Sequence, residues 1–146
     1  MLQYASLIRQ GHVPKVRVPD FDMVKLILLF AAGGAGTFAR YFLSGYVYQV
    51  FGVRFPVGTL IVNLLGCFII GVLASFTEKK FLMSPELRLF LMVGFLGAFT
   101  TFSTFILETD NLIKNAQIGI SLANIILSVG GGLLLFRFGS LLGSLL

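Results

Sequence analysis

Four stretches of this chain run almost without charge for long enough to cross a bilayer: Leu26 to about Phe51, interrupted by Arg40, then Phe55 to Thr77, Leu89 to Leu107, and Asn115 to Phe136. A helix needs roughly 20 apolar residues to span the hydrocarbon core, so these runs take up most of the sequence and leave no room for a soluble domain. The 12% share of charged residues and a mean hydropathy of +0.96 agree, because soluble domains carry about twice that charge. No segment alternates with strand period over ten residues, which favours helices over a barrel. The expected fold is an all-α membrane protein with four transmembrane helices, one domain over residues 23–146 behind a disordered or interfacial tail over 1–22.

That tail mixes Arg9, His12, Lys15, Arg17, Asp20 and Asp22 with two prolines and lacks the apolar run of a signal peptide. Met23-Val-Lys-Leu-Ile-Leu-Leu reads as an alternative start leading straight into the first span. Counted from Met23, Lys25, Lys79, Lys80, Arg88 and Arg137 fall on one side and Arg40, Arg54 and Lys114 on the other, five against three. So weak a bias lets copies insert in both directions, and their antiparallel pairing makes a dimer with its two-fold axis in the membrane plane. Adding Arg9, Lys15 and Arg17 gives eight against three, which favours a fixed orientation and an oppositely inserted paralogue as partner. The net charge of +5 sits in ends and loops facing water or lipid headgroups, so no nucleic-acid partner is expected.

Catalysis has little to work with. The one histidine, His12, is in the tail, Cys67 and Ser103 have no base nearby in sequence, and Glu78, Glu86, Glu108 and Asp110 all fall at span ends. Gly34-Ala-Gly36-Thr-Phe-Ala39 matches a dinucleotide fingerprint only as a string, since no strand precedes it and no acid follows about 20 residues on. Gly33, Gly34 and Gly36 are expected instead to permit close helix contact. With no carboxylate inside a span, a proton-coupled cation exporter is disfavoured. Cys67 has no partner for a disulfide and reads as a small packing residue.

The polar groups at membrane depth are Thr59, Asn63, Thr100, Thr101, Ser103, Thr104, Asn124 and Ser128, with Arg40 near a span end. They crowd most in Gly94-Phe-Leu-Gly-Ala-Phe-Thr-Thr-Phe-Ser-Thr-Phe105. Hydrocarbon offers no water, so such a break is tolerated only where it lines a cavity or packs on protein. Thr59, Asn63, Cys67 and Gly71 recur every four residues on one face, as do Asn124, Ser128 and Gly132, and either helix packing or a polar pathway accounts for such ladders. The amide and hydroxyl protons can be aimed at an anion, and the rims of Phe102 and Phe105, three residues apart, carry the positive part of the ring quadrupole. Arg40 reads either as an interfacial anchor or as a cation gathering anions at a pore mouth.

From about Met23 to Gly139 the sequence resembles the small bacterial fluoride channels (the Fluc family). Three signatures carry the likeness: Gly33-Gly-Ala-Gly-Thr-Phe-Ala-Arg40-Tyr41, Gly58-Thr-Leu-Ile-Val-Asn63-Leu-Leu-Gly66, and the string from Gly94 to Phe105. The resemblance implies an antiparallel dual-topology dimer in the cell membrane, with a third helix broken at mid-membrane, two fluoride pores and a central structural Na⁺. It implies that the carbonyls of Gly97 and Thr100 ligate the sodium, four hard oxygens from two subunits. Asn63, Phe102 and Phe105 would then contact fluoride, with Thr101, Asn124 and Ser128 along the pore and Arg40 at a vestibule. Cys67 stands where the family often has Ser, and Ala98 where it often has a second Gly. The function so implied is passive export of cytoplasmic fluoride, and its rivals are a small multidrug-type cation exporter and a non-conducting membrane subunit.

Overall fold

The computed structural model describes residues 22–80 and 83–145. The expected tail over 1–22 therefore lies, apart from Asp22, outside the described residues. Asp22 caps the first helix, its Oδ1 accepting from the Val24 N–H at 3.0 Å, so the helix begins where the apolar run begins. Helix α1 covers Met23–Phe51 and closes on Gly52, whose φ of 76° suits a residue without Cβ. A short turn leads to α2, Val57–Lys80.

The third crossing, Pro85–Lys114, is built in pieces. Ser84 caps a single turn, α3 (Pro85–Arg88), which passes into a π-helical segment, Leu89–Leu96, and a further turn, α4 (Gly97–Phe99). Thr100 and Thr101 are extended, with φ/ψ of −82°/158° and −150°/110°, and α5 (Phe102–Lys114) then carries the chain out. The last helix, α6, runs Ile118–Leu145.

The described chain is thus all helical, with four segments long and apolar enough to cross a membrane and an interruption in the third. Two expectations shift. The third and fourth crossings extend beyond Leu107 and Phe136 to Lys114 and Leu145, and the break falls at Thr100–Thr101, with Gly97 still helical at φ −62°, ψ −34°.

Close backbone contact holds the bundle. Helices α2 and α6 form its tightest pair, because Gly71 lies against the Phe136 carbonyl and Gly139 against the Phe68 carbonyl, leaving no room for a Cβ at either. Gly36 meets the Phe95 carbonyl of the π-helical segment in the same way. Gly33 and Gly34 have nothing within 4 Å of an added Cβ, so only one of the three glycines expected to permit helix contact does so. Val62, Leu96 and Phe99 make the small core, while Phe30, Phe38, Tyr41 and Phe42 lie exposed, as a surface facing acyl chains requires.

Candidate functional site

A break in a helix at membrane depth must dispose of its backbone groups, and here Asn63 does so. Its Nδ2 donates to the Thr101 carbonyl at 3.0 Å and its Oδ1 accepts the Thr101 N–H at 2.8 Å, so one side chain of α2 holds both ends of one residue's backbone. In an unbroken α-helix the Thr101 N–H would bond the Gly97 carbonyl. Its diversion to Asn63 frees that oxygen. Upstream, the Leu96 carbonyl closes the helix by accepting both the Thr100 N–H at 3.0 Å and the Thr100 hydroxyl at 2.9 Å. Downstream, Thr101 Oγ1 caps α5 by accepting the Thr104 N–H at 3.3 Å, and donates to Thr104 Oγ1 at 2.9 Å. The positive end of the α5 dipole thus starts inside the bundle.

Around the break opens a groove of ≈ 490 Å³. Asn63, Gly97, Thr100, Thr101, Phe102, Phe105 and Ser128 all line it, so the groove gathers seven of the nine expected site residues. The Phe102 and Phe105 ring centroids lie 5.5 Å apart with planes at 48°. Phe105 is buried at 5% exposure, whereas Phe102 is 72% exposed and leaves its side of the groove open. Cys67 lines the same groove and packs toward Gly132. Gly66 lies against the Thr100 methyl, so its lack of a side chain sets how closely the break approaches α2.

The two other expected residues lie elsewhere. Asn124 is 1% exposed and does not line the groove; its Nδ2 donates to Thr109 Oγ1 at 2.9 Å. Arg40 lines a separate cavity of ≈ 280 Å³ with Tyr48, Thr59, Thr101, Thr104 and Glu108. Arg40 sits within α1 and Arg137 within α6, so each counted side has an arginine inside a crossing. Thr101 lines both cavities and so lies between them.

Glu108 corrects the reading of the acids as span-end groups. It lies inside the third crossing, with Oε1 accepting from Tyr48 Oη at 2.9 Å and from Thr59 Oγ1 at 2.8 Å, while Oε2 is buried without a hydrogen-bond partner among the described residues. Tyr48 and Glu108 also line a third cavity of ≈ 430 Å³, open between the 52–56 and 115–117 turns beside Arg54 and Gln117. The three cavities share lining residues end to end, Thr101 joining the groove to the Arg40 cavity and Tyr48 and Glu108 joining that cavity to the third. Of this junction the sequence ladder marked only Thr59; Tyr48 and Glu108 are 60 positions apart and carry no common motif.

The family profile described as CrcB-like protein, Camphor Resistance (CrcB), matches residues 27–140. The chain belongs to this family. It is a multi-pass membrane protein. Among its relatives, a protein of Citrifermentans bemidjiense is 46% identical over 107 residues, covering 73% of this chain and 86% of that one. A protein of Dehalococcoides mccartyi is 48% identical over 121 residues, 82% and 93% of the two chains. One from Desulforapulum autotrophicum is 44% identical over 122 residues, 84% and 98%. Each bears the name fluoride-specific ion channel FluC.

Proposed function

We propose that this chain forms a passive, fluoride-selective channel of the cell membrane that lets the ion leave the cytoplasm. The observation that carries the reading is the groove at the break, where Asn63, Thr101, Phe102, Phe105 and Ser128 meet in a protein whose relatives bear the fluoride channel name. Water around a small anion must be replaced by weak donors at close range, and amide protons, hydroxyls and ring rims are such donors. Arg40 raises the local anion concentration in the adjoining cavity, and Thr101 connects that cavity to the groove. No step needs a nucleotide or a reacting centre, so the chain is read as a channel and not as an enzyme.

The groove is open along Phe102, which supports a second copy as its other wall. We take that copy to be an identical subunit in antiparallel orientation, with an oppositely inserted paralogue as the other form. A structural sodium ion fits the break. The Gly97 carbonyl is freed by the Asn63–Thr101 pairing, Thr100 leaves helical geometry next to it, and neutral hard oxygens suit Na⁺. Gly97 and Thr100 of each subunit would hold it, and once bound it supplies a fixed charge tying two broken helices together.

Glu108 gives the cation-exporter reading the membrane carboxylate it needs, so the two readings are separated by experiment. Purified protein in liposomes loaded with fluoride or chloride is expected to release fluoride and retain chloride. Proton-coupled cation uptake without fluoride release would overturn the channel.

A further inference from the structure

Asn124 stands behind the groove, and its bonds have a direction. The Thr109 hydroxyl donates to the Phe105 carbonyl at 2.7 Å. Its single proton is thereby used, so toward Asn124 the oxygen can only accept, and the Asn124 amide must present Nδ2, at 2.9 Å. This fixes the other end of the amide. Asn124 Oδ1 faces Ser128, whose hydroxyl donates to it at 3.5 Å. The chain of bonds therefore begins at the backbone of Phe105 in α5 and ends on Ser128 in α6, whose hydroxyl is the polar side chain of the series that lines the groove.

Its consequence is electrostatic. While the Ser128 proton points at Asn124, the lone pairs of its oxygen are left for the groove and repel an anion. At 3.5 Å the bond is too long to be strong, so a small anion that accepts more strongly than an amide oxygen can take the proton by a rotation about one bond. We infer that Asn124 is a positioning residue: it holds the Ser128 proton between ions and yields it to an anion basic and small enough to compete. The ion touches Ser128 and not Asn124, and Thr109 keeps the amide from flipping. This inference rests on the channel reading.

The test is a double-mutant cycle on efflux from liposomes. Ser128→Ala removes the donor and should slow fluoride release by about tenfold, the range of one hydrogen bond to a charged group. Asn124→Leu removes only the acceptor that holds the proton between ions, so the hydroxyl stands open to any anion: release should persist while the preference for fluoride over chloride narrows. In the Ser128→Ala background Asn124→Leu should change neither rate nor preference, because the proton it acts on is gone. Thr109→Val should narrow the preference as Asn124→Leu does, and Thr109→Ser, which keeps the hydroxyl, should restore it. A further change when Asn124→Leu is added to Ser128→Ala, or an Asn124→Leu protein as selective as wild type, would overturn the inference. If Asn124→Leu fails to assemble, as judged by gel filtration in detergent, the same cycle is run between Thr109→Val and Ser128→Ala: a double variant that behaves as Ser128→Ala alone supports the inference, and a further change overturns it. A wild type that releases no fluoride would instead overturn the channel reading beneath it, which sets that failure apart.

Discussion

Asn63 and Thr101 make a two-point bond across the break, donor to carbonyl at 3.0 Å and acceptor to N–H at 2.8 Å, and this pairing decides where the third crossing stops being a helix. A side chain with both an acceptor and a donor in one plane is needed. Removing it leaves a backbone N–H and C=O in a site where water is scarce.

Asn63→Ala should therefore cost about 2–4 kcal/mol, two stranded groups at the low end of the usual penalty. Asn63→Asp keeps the acceptor for the Thr101 N–H but loses the donor to its carbonyl, and should fall between. Denaturant or thermal unfolding of the protein in detergent checks the order.

Helix α5 ends in a motif that asks for glycine and has alanine. The Ala116 N–H bonds the Ile113 carbonyl and the Gln117 N–H the Leu112 carbonyl, both at 2.9 Å, with Ala116 at φ 56°. A Cβ in the left-handed region costs about 1–2 kcal/mol. Ala116→Gly should recover about 1 kcal/mol of that and raise the melting temperature, with ion flux unchanged.

Glycines here sort by their neighbours. Gly139→Ala forces a methyl into the Phe68 carbonyl and should destabilise by about 1–3 kcal/mol, the cost of overpacking. Gly130→Ala, with nothing within 4 Å, should be near neutral. Parallel unfolding curves separate the two.

Glu108 is expected to tolerate loss of charge better than loss of its acceptor. Glu108→Gln leaves an oxygen for Tyr48 and Thr59 and replaces the unpartnered Oε2, so stability should hold within about 1 kcal/mol. Glu108→Leu leaves the Tyr48 and Thr59 hydroxyls only their own long contact of 3.5 Å and should cost about 2 kcal/mol. Equal losses in the two variants would contradict the bonding described.

Charge-free runs made the four crossings legible, and the hydroxyl string after Gly97 marked the interruption to within a few residues. Both are local properties of the chain. What escaped was non-local or cumulative. Glu108 read as a span end because a straight helix counted from Leu89 runs out near Leu107, whereas the crossing starts at Pro85 and continues to Lys114. The π-helical segment over Leu89–Leu96 is apolar throughout, and an apolar run does not tell π from α geometry. Asn124 shares a face with Ser128 by spacing, yet the Thr109 hydroxyl, on another helix, draws its amide out of the groove. Spacing places a side chain on a face, and its partner decides where it points.

The most direct test of the groove as the ion path is fluoride release from liposomes carrying Phe102→Ile or Phe105→Ile, beside wild type. Phe102 is 72% exposed within one subunit, so the subunit's own fold should survive its replacement while release collapses, with gel filtration showing that the assembly persists. Release at the wild-type rate from well-folded Phe102→Ile and Phe105→Ile proteins would contradict the account.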